Sequence, residues 1–128
     1  MTNIERALLV AERVHSNQTY DIYPYFFHVK KVWQVSVDLG YGEAIQVACI
    51  LHDCDEDGEL TYSKIKKHFG QEVAEIVFAV TDELGRNRKE RKEKTYPKIK
   101  ANWKATATKL CDRTVSYTHL TLPTILRV

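Results

Sequence analysis

The chain has 128 residues, 44% of them hydrophobic and 28% charged, with 19 Lys plus Arg against 17 Asp plus Glu. That is one domain's length, a globular rather than disordered composition, and a charge too balanced to call for nucleic acid as a partner. No apolar run approaches the roughly 20 residues of a membrane span, and the opening MTNIER lacks the apolar core of an export signal.

The patterning is helical almost throughout. Thr2 with Glu5 makes a capping-box signature, and Ile4, Ala7, Leu8, Ala11 and Val14 follow at helical spacing. Ser16 to Tyr25 reads as a polar and aromatic loop, with Pro24 disfavouring helix. A second helix is expected from about Phe26 to Leu39, with Val29, Val32, Trp33 and Leu39 inward and Gly40 and Gly42 ending it.

Glu43 to Cys54 contains AIQVACIL, apolar on nearly every side, as a helix buried mid-domain should be. An acidic loop, Asp55 to Glu59, comes next. Thr61 can cap a short helix ending near Gly70, and Val73, Ala74, Ile76, Val77 and Val80 form an amphipathic stripe within Gln71 to Thr81. The charged stretch Asp82 to Lys94 runs into a helix expected to be interrupted at Pro97. Asn102 can cap a last helix through Ala105, Ala107, Leu110 and Cys111. No alternating strand of useful length, internal repeat or linker is present, so the expected fold is all-α, with six or seven helices.

Cys49, Cys54 and Cys111 form no CxxC pair, and their odd number makes no disulfide framework. Cys49 reads as a buried free thiol, and a reducing cytoplasm suits the set. His15 and His68 read as surface residues.

One cluster stands out. His52-Asp53-Cys54-Asp55-Glu56-Asp57 follows directly on the most apolar helix of the chain. Charged groups beside a buried element are costly unless something pairs with them. A divalent metal is an economical partner, and imidazole nitrogen with carboxylate oxygen suits Mn, Fe or Zn. Two ligands hold an ion poorly, and further donors stand at other helices: His28 within PYFFH and Asp112 within KLCDR, both beside apolar positions expected to face the core.

The ordered set His28, His52-Asp53 and Asp112 resembles the HD-domain phosphohydrolases, all-α metalloenzymes. Within them it is similar to the alarmone hydrolases that remove pyrophosphate from the 3′ position of ppGpp. PYFFH matches a PYxxH motif, HDCDED an HDxxED motif, LTYSKIKKHFGQEVAEIVFAVT the following helix pair and KLCDR a late KLxDR, over about residues 4 to 113. The resemblance implies that His28, His52, Asp53 and Asp112 bind the metal, typically Mn²⁺. It also implies that Glu56 and Asp57 position and deprotonate the attacking water. The chemistry agrees, since phosphoester hydrolysis needs charge neutralisation on the phosphoryl oxygens and a carboxylate to take a proton.

The chain departs from that pattern twice. Where the alarmone hydrolases usually carry a basic pair whose Arg packs on guanine, this sequence reads Ser16-Asn17-Gln18-Thr19. Tyr20, Tyr23 or Tyr25 offer stacking faces instead. Ser116 stands where the family generally has an Asn that contacts the nucleoside. From Val115 onward the chain resembles translated sequencing-adapter DNA. Its threonines and Pro123 make a poor continuation of a helix. The expected division is therefore a domain over 1–114, incomplete at its C-terminal end, and a non-native tail over 115–128, in which His119 is no ligand.

GRNRKERKEK, residues 85–94, reads first as a solvated helix face with Glu90 and Lys94 in i,i+4 support. Arg86, Lys109 and Arg113 remain candidates for the substrate diphosphate. The sequence leaves three functions open. One is a ppGpp 3′-pyrophosphohydrolase, another an HD hydrolase acting on a different nucleotide or phosphoester, and the third an inactive HD scaffold that binds a nucleotide or a protein.

Overall fold

A computed structural model describes residues 2–16, 19–20, 23–54, 60–81 and 87–126, with backbone only at 19–20, 88 and 116–126. Among the described residues the fold is all-α, a bundle of seven helices with one two-stranded ribbon. Helix α1, Asn3–Val14, opens on the expected capping box: Thr2 Oγ1 accepts from the Glu5 amide at 3.1 Å, and the Glu5 carboxylate answers the Thr2 amide. The expected loop contains β1, Thr19–Tyr20, and β2, Tyr23–Pro24, paired antiparallel.

Pro24 has the extended backbone that ends the ribbon and stands as N-cap of α2, Tyr25–Asp38. The helix ends in a left-handed Gly40, φ 78°, with Tyr41 and Gly40 amides returning to the Ser36 and Val37 carbonyls. Leu39 therefore lies past the helix and is exposed, not inward as its spacing suggested.

Helix α3, Glu43–Leu51, is the centre of the bundle and touches α1, α2, α5 and α7. It ends three residues earlier than the apolar run predicts, and His52, Asp53 and Cys54 form a tight turn closed by the Cys54 amide on the Leu51 carbonyl at 3.0 Å. Helices α4, Tyr62–Phe69, and α5, Gln71–Val80, meet at Gly70, whose φ of 99° allows an abrupt change of direction. Thr61 caps α4 as its position predicts.

Helix α6, Arg88–Ala101, starts at an Asn87 cap and runs through Pro97 without interruption. Its buried Thr95 and Ile99 hold it on the bundle from either side of the proline, so packing outweighs the lost backbone bond. Helix α7, Trp103–Leu126, starts where Asn102 Oδ1 accepts from the Lys104 and Ala105 amides at 3.1 and 3.3 Å. Its backbone is helical through Pro123, where the residues read as a poor continuation of a helix. Leu110, expected inward, is exposed because it falls away from the face carrying Thr108, Cys111 and Val115. Among the described residues no helix is long and apolar enough to cross a membrane.

Two apolar clusters fill the bundle. The larger joins α1, α3, α4 and α5 around Ile50, Leu51, Ile65 and Ile76. The smaller, Val32, Ile45, Cys49, Ala107, Cys111 and Val115, joins α2, α3 and α7. Ile50 has no accessible surface, so Ile50→Ala is expected to cost roughly 2–5 kcal/mol of unfolding free energy, read as a lower urea midpoint at unchanged slope.

Candidate active site

Three elements bring the expected donors together beside the smaller cluster. His28 lies in the first turns of α2, one helical turn before buried Val32. His52 and Asp53 follow α3, and Cys49 one turn earlier belongs to the same cluster. Asp112 lies on the buried face of α7, between Thr108 and Val115 in the helical repeat.

His28 Nε2 is 3.1 Å from Asp112 Oδ1. His52 Nδ1 is 2.7 Å from the Cys49 carbonyl, which can only accept, so Nδ1 carries a hydrogen. That contact turns Nε2 toward two carboxylates, 3.1 Å from Asp53 Oδ2 and 3.4 Å from Asp112 Oδ1. Both approaches are short enough for ion pairing, yet neither aligns as a hydrogen bond, and Nε2 is a buried atom without a hydrogen-bond partner. Asp53 Oδ2 also accepts from the Tyr25 hydroxyl.

The charges are tightly coupled. Burial disfavours charge on His52, but Asp53 and Asp112 outweigh it and hold its pKa well above the ordinary histidine value. Burial would raise the carboxyls as well. It is outweighed at Asp53, held down to about 2 by the neighbouring His52 charge and by the hydrogen bond from the Tyr25 hydroxyl. Asp112 is held well below the usual carboxylate range, against burial, by His28 and His52. Among the described residues no group of three or more His, Cys, Asp or Glu is splayed around a space for an ion; the four side chains close on one another in pairs.

Glu56, Asp57 and Arg86 lie outside the described residues. Lys109 is half-buried and Arg113 exposed, flanking Asp112 on α7. The basic face of α6 takes its solvated form, with Lys94 3.3 Å from Glu90 and Lys92 over the Tyr96 ring. His68 is exposed as expected.

His15 is not a surface residue: it is 1% exposed. It continues the buried stripe of Ala7 and Ala11, and its ring lies 4.7 Å from that of Tyr25. Of the tyrosines considered for stacking, Tyr23 is exposed against Phe27, and the Tyr20 side chain is outside the description. Tyr25 instead reaches Asp53. Sequence reasoning missed that role, although Tyr25 stands three residues before His28 and so shares its helix face.

This bundle and its paired His and Asp side chains define an HD-type domain, and a family model described as HD domain matches residues 7–112. The chain belongs to that family. It is related to the ppGpp hydrolase domains. It is 37% identical over 79 residues to the guanosine-3′,5′-bis(diphosphate) 3′-pyrophosphohydrolase of Aquifex aeolicus, covering 61% of this chain and 11% of the relative. It is 32% identical over 100 residues to the bifunctional (p)ppGpp synthase/hydrolase SpoT of Escherichia coli, covering 75% of this chain and 14% of the relative. The chain thus spans a small fraction of those relatives' lengths.

Among solved structures, a metazoan ortholog of SpoT, described as hydrolysing ppGpp, superposes with a TM-score of 0.82 at 26% identity, over 95% of this chain and 72% of that one. The lmo0812 structure from Listeria monocytogenes matches with a TM-score of 0.67 at 32% identity, over 78% of this chain and 64% of that one.

Cys49 and Cys111 pack together behind the site, and all three cysteines are buried. The native protein should resist alkylation by iodoacetamide and label only as it unfolds. Rapid native labelling, read by mass spectrometry, would mean that the α3–α7 seam opens readily.

Proposed function

We propose that the protein is a metal-dependent phosphohydrolase of the ppGpp 3′-pyrophosphohydrolase type. The observation that carries this reading is the buried His52 Nε2, turned by the Cys49 carbonyl onto Asp53 and Asp112 without a hydrogen-bond partner. A buried imidazole nitrogen facing two carboxylates without an aligned hydrogen bond suits a cation between them, bound in place of the proton that those carboxylates otherwise favour. The donor set fits: two imidazoles and two carboxylates suit Mn²⁺ or a similar ion.

His28, His52, Asp53 and Asp112 would hold the ion. When bound, it supplies charge neutralisation at the phosphoryl oxygens and makes water more acidic. The chain's own residues do the rest. The Cys49 carbonyl keeps His52 in the tautomer whose Nε2 can donate its lone pair. Glu56 or Asp57 takes the proton from the attacking water as general base. Lys109, Arg113 and Arg86 offer positive charge to the diphosphate. The identity to ppGpp hydrolases supports a guanosine nucleotide as substrate, acting within a cytoplasmic setting.

A second reading, hydrolysis of another nucleotide or phosphoester, is favoured by one observation: Ser16-Asn17-Gln18-Thr19 replaces the expected basic pair. Incubation with Mn²⁺ and a panel of ppGpp, deoxynucleoside triphosphates and simple phosphoesters separates the two. Release of pyrophosphate from ppGpp is expected, with His52→Ala and Asp112→Ala each lowering kcat/KM by at least about 100-fold. Turnover of a different panel member selects the second reading. Nucleotide binding without any turnover selects an inactive scaffold.

A further inference from the structure

We infer that Tyr25 is a positioning residue, whose hydroxyl fixes the rotation of the Asp53 carboxylate beside His52. The inference rests on the metal-centre reading above and adds a residue to it.

An Asp carboxylate turns about a broad, roughly two-fold torsion, so its own geometry does not decide which oxygen faces inward. At Asp53 one atom decides it. Oδ2 accepts from the Tyr25 hydroxyl and lies 3.1 Å from His52 Nε2. The phenol therefore holds the same oxygen that the imidazole faces.

Tyr25 is itself held on several sides. It opens α2, so its backbone is set by the same helix that carries His28, and the two rings lie 5.5 Å apart at 53°. On its other side the buried His15 ring lies 4.7 Å away, tilted by 44°. His15 Nε2 in turn lies 3.8 Å from the buried Cys54 sulfur, in the turn that carries Asp53. The end of α1, the start of α2 and the turn after α3 thus converge on the phenol. An aromatic that merely filled space would need no hydroxyl aimed at a carboxylate. Partners of this kind orient a ligand and tune its donor strength.

Tyr25→Phe removes the hydroxyl and keeps the ring. Titration of the full chain with Mn²⁺, followed by the electron paramagnetic resonance of the free ion, should show affinity about 10–100-fold weaker than wild type. Far-UV circular dichroism of the variant should match wild type. With the substrate found above, the Mn²⁺ concentration for half-maximal rate should rise by a similar factor, while kcat at saturating Mn²⁺ returns most of the way to wild type. In an Asp53→Ala background, Tyr25→Phe should weaken Mn²⁺ binding no further, because the interaction is already gone.

Wild-type Mn²⁺ affinity in Tyr25→Phe, or fully additive losses in the double variant, would overturn the inference while leaving the metal centre standing. A Tyr25→Phe chain that no longer folds would make the hydroxyl structural and overturn it too. If the wild-type chain binds no Mn²⁺, the metal reading fails and the inference falls with it.

Discussion

The contact on which the site depends is the one between His52 Nδ1 and the Cys49 carbonyl. A histidine ring has two nitrogens, and occupying one with a backbone acceptor settles what the other can do. The acceptor belongs to the last turn of α3, the most buried helix in the chain. The direction of Nε2 is therefore as rigid as the centre of the bundle. His28 and Asp112 are brought to it by α2 and α7, the two helices that share the smaller apolar cluster with α3.

That arrangement explains why the charged groups sit where they do. The cluster of Val32, Ile45, Cys49, Ala107, Cys111 and Val115 excludes water from one side of the site. Exclusion strengthens every electrostatic contact and makes every unpaired charge expensive. Each carboxylate consequently has an imidazole beside it, and Asp53 has a phenol as well. Burial pulls these pKa values one way and the partners pull them further the other way, which is the signature of a polar site built into a core rather than left on its surface.

Much of the framework was legible from residue patterns. Capping residues Thr2, Thr61 and Asn102 sit at helix starts as predicted, because a cap satisfies a local backbone amide and needs no tertiary partner. The apolar AIQVACIL segment is central, because a helix apolar on all sides has nowhere else to go. The misplacements share a different cause. Pro97 sits inside α6, Leu39 and Leu110 are exposed, and His15 is buried. In each, a local tendency met a neighbour or a helix end that spacing alone does not reveal.

The sequence by itself determined an all-α domain and named His28, His52, Asp53 and Asp112 as one set, since helical periodicity and residue chemistry are written locally. Only the tertiary structure decided which nitrogen of His52 faces the carboxylates, that Asp112 Oδ1 lies near both histidines, and that Tyr25 rather than a distant polar residue holds Asp53. Those facts depend on how α2, α3 and α7 are turned about their own axes when they pack. That rotation is set by the summed burial of many side chains, and no single motif records it.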